Sequence, residues 1–294
     1  MALNVCVAGS KAGRENFCKG IGKKGSAEDF TFYTTSYQGK LIHLFEPSAY
    51  PEKVDALLDP LSLSDFVVFV VDELNAEFGE QVLLLDLAGM NGVFATDLDV
   101  SQYVKGTVLE KWPVVSAEEA KRLVIGEWKP PERQGEPIVF IDHAFDVKGV
   151  GSVLLGVVRY GKIAVHDKMV CNPQGGELEI RSIQKNDVDE KEGFSTDRVG
   201  LAIKGLTSKD VKRGTVLAAK PLKVVKELPA NISYSKFAAK DSKLLHAFHC
   251  LQSSPCKLED GKLLFEKPLA LVAGEPVILC DLNKKMRAVG KVSF

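Results

Sequence analysis

The first apolar run of the chain leads into Gly9-Ser10-Lys11-Ala12-Gly13-Arg14-Glu15-Asn16, the place where a glycine-rich loop could wrap the phosphates of a nucleotide. That chemistry needs backbone N–H groups facing the anion, a lysine for the β and γ phosphates, and a hydroxyl for magnesium. Set without a gap on GxxxxGK[ST], the segment keeps Gly9 but puts Arg14 at the second glycine, Glu15 at the lysine and Asn16 at the hydroxyl. An alignment one residue shorter keeps Gly13 and offers Arg14 for the lysine, with Glu15 in place of the hydroxyl. A carboxylate at the phosphates reverses the sign of the interaction. His246, His249, Cys250 and Cys256 are of metal-binding type, yet they lack paired knuckle spacing and fall in an alternating strand pattern, so no metal is assigned to them. Lys11, Lys19, Lys23 and Lys24 form a basic run among glycines that reads as a loop, and no Ser/His/Asp or Cys/His arrangement can be assembled.

The elements that must position these residues change character along the chain. Up to about residue 127, strand-length apolar runs at 4–8, 30–33, 40–45, 66–72, 92–96 and 112–115 alternate with helical spacing at 76–87. Ser116 before Ala117-Glu118-Glu119 reads as an N-cap with acidic first-turn residues. A parallel α/β sheet is expected for 1–127. Residues 128–137 carry three prolines and several charges, and they serve as a linker. Beyond them polar and apolar residues alternate, as in Glu177-Leu178-Glu179-Ile180-Arg181-Ser182-Ile183, with turn residues at Tyr160-Gly161-Lys162 and Pro173-Gln174-Gly175-Gly176. This predicts one small β-barrel over 137–220. A second, shorter one over 221–294 has strands at 231–237, 244–251, 263–265, 270–272, 276–280 and 286–292.

The 294 residues suffice for two or three domains. Lysine and arginine (38) balance aspartate and glutamate (39), so RNA contact would have to rest on a local patch rather than a global field. Six scattered cysteines and the lack of an apolar run longer than 66–71 fit a soluble, cytoplasmic monomer with no membrane partner.

The blocks PIVFIDHAFDVKGVGSVLLGVVRYGKIAVHDKM, ELEIRSIQKNDVDE and DRVGLAIKGLTSKDVKRGTVLA, with PLALVAGEPVILCDLNKKMRAVGKVSF at the end, resemble elongation factor Tu and its selenocysteine-specific relatives. RSIQ followed by DRVGLAIKG is closer to the selenocysteine-specific branch, including its archaeal type named for pyrrolysine. The resemblance implies a GTPase-like α/β domain followed by two β-barrels, a domain rotation driven by GTP, and aminoacyl-tRNA or the ribosome as partner. It also implies signatures that this chain has lost. Glu46-Pro47-Ser48-Ala49-Tyr50 keeps the proline of the γ-phosphate sensor without its glycine or histidine, and Thr96-Asp97-Leu98-Asp99 keeps only the aspartate of the guanine reader. Asp99, with Ser116 of the base-contacting Ser-Ala pair, completes a vestigial nucleotide site made with Gly9, Gly13 and Arg14.

In such proteins the middle barrel helps to hold the aminoacyl end of tRNA. The resemblance therefore makes Arg159, Arg181, Lys185 and Arg198 the RNA-binding candidates, as exposed charges whose loss would hardly affect stability. Gly149, Gly151 and Gly205 are assigned to tight turns. The reading is a translation-factor paralogue that binds aminoacyl-tRNA and uses neither GTP nor magnesium. The alternatives are a pseudo-GTPase scaffold for translation proteins and a GTPase with altered motifs.

Overall fold

The computed structural model describes residues 2–238 and 240–294. The N-terminal unit comprises β1 (Leu3–Gly9), α1 (Lys11–Lys19), β2 (Lys23–Ala27), β3 (Thr31–Tyr37), β4 (Lys40–Glu46), α2 (Asp55–Leu63), β5 (Phe66–Val70), α3 (Ala76–Ala88), β6 (Gly92–Ala95), α4 (Ser101–Val104), β7 (Val114–Val115) and α5 (Ala117–Arg122). Strand order is β2-β3-β4-β1-β5-β6-β7. The central β1 is buried along its whole length because helices cover both faces of the sheet, so its sequence shows no alternation.

The sheet is mixed rather than parallel throughout. β3 and β4 pair antiparallel across Gln38-Gly39, both at positive φ, the two-residue turn that forces a hairpin. The strand β2 is a second departure, since all five of its residues are exposed and no apolar period announces it. The basic run read as a loop is divided between two elements. Lys11 and Lys19 lie on α1, which is capped by Ser10 and braced by a Glu15–Lys19 pair at 2.7 Å, while Lys23 and Lys24 lie on β2.

The second unit contains β8 (Ile138–Val147), β9 (Gly151–Tyr160), β10 (Lys162–Ala164), β11 (Lys168–Asn172), β12 (Glu177–Lys185), β13 (Val188–Glu190), β14 (Glu192–Phe194), β15 (Arg198–Lys204) and β16 (Val216–Ala218). Pairing runs β11-β16-β8-β9-β15-β12, and β12 returns to β11, which closes a six-stranded barrel around Val139, Leu154, Ile180 and Leu201. Gly149, Gly151 and Gly205 have positive φ, as their turns require.

The third unit contains β17 (Lys223–Pro229), β18 (Ser233–Tyr234), β19 (Leu244–His249), β20 (Gln252–Glu259), β21 (Lys262–Leu271), β22 (Val277–Cys280) and β23 (Ala288–Val292). These form one antiparallel sheet in the order β17-β21-β20-β19-β22-β23-β18. The expected strands at 263–265 and 270–272 are a single strand, β21, and β17 and β20 lie outside the expected set.

The three units share their cores. Phe248, Ile278, Cys280 and Ala288 of the third sheet pack into the cluster built on α2 and α3. Phe45, Leu63, Phe140, Val157, Cys250 and Val272 form a junction to which all three contribute.

Candidate functional site

The loop after β1 is folded on itself. Gly9 N–H donates to Gln81 Oε1 at 2.7 Å, Gly13 N–H to Ser10 Oγ at 3.1 Å, and Arg14 N–H to Ser10 O at 3.0 Å. These are amides that a phosphate would need, and each has an internal acceptor. Ser10 Oγ in turn donates to the Asp72 carboxylate. A Cβ on Gly13 would lie 2.5 Å from Asp72 Oδ2, and one on Gly9 would lie 1.9 Å from Val70 O, so the glycines here allow the close packing of β1, α1 and β5. Asp72, Glu73 and Glu77 line the small pocket beside Gly9, an acidic wall that repels phosphate.

Arg14, placed by sequence as a phosphate ligand, is fully buried. Its Nε donates to Glu46 Oε1 at 2.8 Å, and its two terminal nitrogens donate to Gly9 O at 2.8 Å and Tyr50 O at 2.6 Å. The segment Glu46-Pro47-Ser48-Ala49-Tyr50 is thus tied to the loop by a guanidinium. Tyr50 extends the network, donating from its hydroxyl to Glu80 Oε2 at 2.7 Å, and Glu80 receives Arg287 from the third unit. Asp99 accepts from Ser101 N–H at 3.0 Å at the start of α4, and Ser116 accepts from Glu119 N–H at 3.2 Å at the start of α5. Ser116 is the N-cap of α5, whereas Asp99 precedes Val100, the N-cap of α4. Gln81, Glu46, Tyr50, Glu80 and Arg287 were not selected by sequence, although Glu80-Gln81 inside the otherwise apolar run of α3 is a signal of buried polar partners.

The four basic candidates of the barrel do not form a common exposed face. Arg159 is 8% exposed, bonded to Glu275 Oε1 at 2.7 Å and to Ser64 O at 3.0 Å, and it links all three units. Arg198 donates to Asp142 Oδ2 at 2.5 Å and its guanidinium lies 4.6 Å from the centre of the Phe32 ring. Lys185 donates to Asp197 Oδ2 at 3.1 Å. These three are therefore not the exposed charges expected from the sequence, because carboxylates on other strands and units hold them inward. Arg181 is exposed and makes a 3.2 Å bond to Val150 O.

Between the N-terminal sheet and the barrel lies a cleft of about 560 Å³. Phe32, Thr34 and His43 of β3 and β4 form one wall, and Phe145, Val153 and Leu155 of the β8–β9 hairpin with Arg198 and Val199 of β15 form the other. Ser182, Gln184, Asn186 and Asp187 add polar groups, and its size and mix of apolar and polar lining suit a small organic moiety. His43 is buried, and its Nδ1 meets Thr34 Oγ1 at 3.3 Å while Nε2 has no partner among the described residues. Burial, aided by the charge of Arg198 and opposed by Asp197, pushes its pKa down to about 3. His43 is therefore a neutral imidazole at the cleft.

A histidine depressed in the folded state binds its proton more readily when unfolded, so its contribution to stability is present above the unfolded value near 6.5 and is lost as pH falls towards 3. Unfolding free energies from urea denaturation between pH 7 and 4 are expected to fall with a slope approaching ~1.4 kcal/mol per pH unit from this residue, and His43→Gln is expected to flatten that share. A variant with the same pH profile as the parent would contradict the assignment. Among the described residues no cluster of His, Cys, Asp or Glu could hold a metal ion, and no helix is long and apolar enough to cross a membrane.

A nucleotide-type α/β unit, a closed barrel and a further antiparallel sheet make up the domain architecture of elongation factor Tu-like proteins. No protein-family model matches the chain. An uncharacterized protein of Methanocaldococcus jannaschii is 32% identical over 292 residues, covering 94% of this chain and 95% of the relative. The selenocysteine-specific elongation factor of the same organism is 25% identical over 242 residues, which is 71% of this chain and 52% of that factor, so the chain spans about half its length. The crystal structure of translation elongation factor SelB from Methanococcus maripaludis in its apo form has a TM-score of 0.80 at 19% identity, over 99% of this chain and 78% of that one. The chain belongs to the same family as the M. jannaschii protein and is a paralogue of translation elongation factors of the selenocysteine-specific, elongation factor Tu-like kind.

Proposed function

We propose that this chain binds aminoacyl-tRNA as a cytoplasmic monomer, with the charged 3′ end in the cleft between the N-terminal sheet and the barrel, and with the α/β unit as scaffold instead of GTP switch. The observation that carries the reading is the cleft itself, ligand-sized and built jointly by β3, β4 and the barrel. Arg181 stands exposed at the β12 face, where it can meet a phosphate, and the ribosome is the natural recipient of such a complex.

The nucleotide part of the reading rests on the internal partners of Gly9, Gly13 and Arg14 and on the acidic pocket beside them. Removing one charge-assisted hydrogen bond to phosphate weakens binding by about 1.5–3 kcal/mol, roughly tenfold to a hundredfold or more. Calorimetry is expected to show no saturable GTP binding in the micromolar range and no effect of magnesium. Aminoacyl-ester hydrolysis is expected to slow on adding the protein, equally with and without GTP. Magnesium-dependent GTP binding would restore the GTPase reading, and an ester left unprotected would favour a scaffold for translation proteins. The exposed Phe237 and Leu244 of the third unit are the surface that such a scaffold would offer.

A further inference from the structure

We propose that the cleft selects an uncharged, mainly apolar aminoacyl group and disfavours anionic and cationic ones. The inference rests on the reading of the cleft as the seat of the aminoacyl end, and it follows from what the lining can and cannot solvate. Phe32, Phe145, Val147, Val153, Leu155 and Val199 supply apolar walls. The one cation among the lining residues, Arg198, is already engaged by Asp142 and by the face of Phe32. The one carboxylate, Asp187, is exposed on the β12–β13 turn at the rim.

An anionic side chain entering this space would leave water and find no free cation, and a cationic one would meet a carboxylate, Asp187, only at the exposed rim, costs that an apolar side chain does not meet. Asp142 adds to the bias against anions, because its Oδ1 is buried without a partner among the described residues beside the Arg198 pair. An anion such as ionised selenocysteine would have to draw Arg198 away from Asp142 and leave that carboxylate uncompensated. The polar side chains of the lining other than Arg198 and Asp187 are uncharged: Thr34, Ser182, Gln184, Asn186 and His43. His43 is buried and neutral, with Thr34 at its Nδ1 and its Nε2 buried without a partner among the described residues, so it adds no charge to the cleft. An uncharged tip such as an amide or hydroxyl matches these uncharged polar side chains, and removal of that tip leaves an apolar group that the walls still accept.

The test keeps one tRNA body and charges it by ribozyme with phenylalanine, methionine, glutamine, aspartate or lysine, then measures ester hydrolysis against protein concentration. Phenylalanyl-, methionyl- and glutaminyl-tRNA are expected to be protected at concentrations at least tenfold below those needed for aspartyl- and lysyl-tRNA. Protection of aspartyl- or lysyl-tRNA within threefold of phenylalanyl-tRNA overturns the inference while leaving aminoacyl-tRNA binding intact. Protection of none of them overturns the binding reading itself and the inference with it. Val150→Lys places a cation at the exposed rim of the cleft and is expected to raise aspartyl relative to phenylalanyl protection severalfold. An unchanged ratio would remove the aminoacyl group from this cleft.

Discussion

Replacing Arg14 by methionine is expected to lower the unfolding free energy by about 3–5 kcal/mol, the loss that follows when one member of a buried ion pair is removed. The size follows from what remains behind. Glu46 is 4% exposed, and without Arg14 its carboxylate keeps, among the described residues, the short bond from Ser48 Oγ at 2.5 Å. Tyr50 O loses this donor at the same time, and Gly9 O is left with the weaker bond from Gln81 Nε2 at 3.4 Å. The double variant R14M/E46L is expected to recover most of the loss, since an apolar pair of similar volume can replace a buried salt bridge at little net cost. Urea denaturation of the two single variants and the double one measures the coupling directly. An arginine kept for phosphate would behave in the opposite way, with stability untouched in the absence of nucleotide. A parent-like midpoint for R14M would therefore reinstate Arg14 as a ligand.

The sequence exposed this fold wherever a local period or a cap carried the information. Alternation through Glu177–Lys185 marks β12, Ser116 with two glutamates marks the start of α5, and the spacing of residues 76–87 marks α3 almost to its end. Strands without a period escaped it. β2 faces solvent on both sides, and Pro255 in the middle of β20 suppresses a strand signal that its neighbours β19 and β21 override. The site was legible only in part. A barrel-strand arginine reads the same whether it meets water or another unit, and the partners of Arg159 and Arg198 lie 116 and 56 residues away. The degenerate loop was visible from Glu15 and Asn16, whereas Gln81, which occupies the Gly9 amide, is set by the packing of α3 on β1.

Replacing Arg287 by methionine is expected to cost about 3–5 kcal/mol and to shift acid unfolding to higher pH, because this residue closes the interface between the third sheet and α3. Glu80 Oε1 accepts from Arg287 N at 2.8 Å and Nε at 3.0 Å, and Oε2 accepts from another guanidinium nitrogen and from Tyr50 Oη. Arg287 also donates to Pro51 O at 2.8 Å. Burial pushes the Glu80 carboxyl up, but the bonds from Arg287 and Tyr50 outweigh it and hold the group below its ordinary value. A carboxyl depressed in this way adds stability above its unfolded value near 4.5, and the contribution is lost as pH falls through the lower folded value. In R287M the guanidinium is gone and burial remains, so the carboxyl titrates higher and acid unfolding begins at higher pH. R287K restores charge without the fork and is expected to fall between the two. Separating the third unit from α3 would expose Glu80 and Arg287 unpaired and break the apolar packing of Phe248 and Ile278 at the same time, so the interface resists the opening that a nucleotide-driven rotation requires. Acid and urea unfolding of R287M matching the parent would show that the pair does not hold the units together.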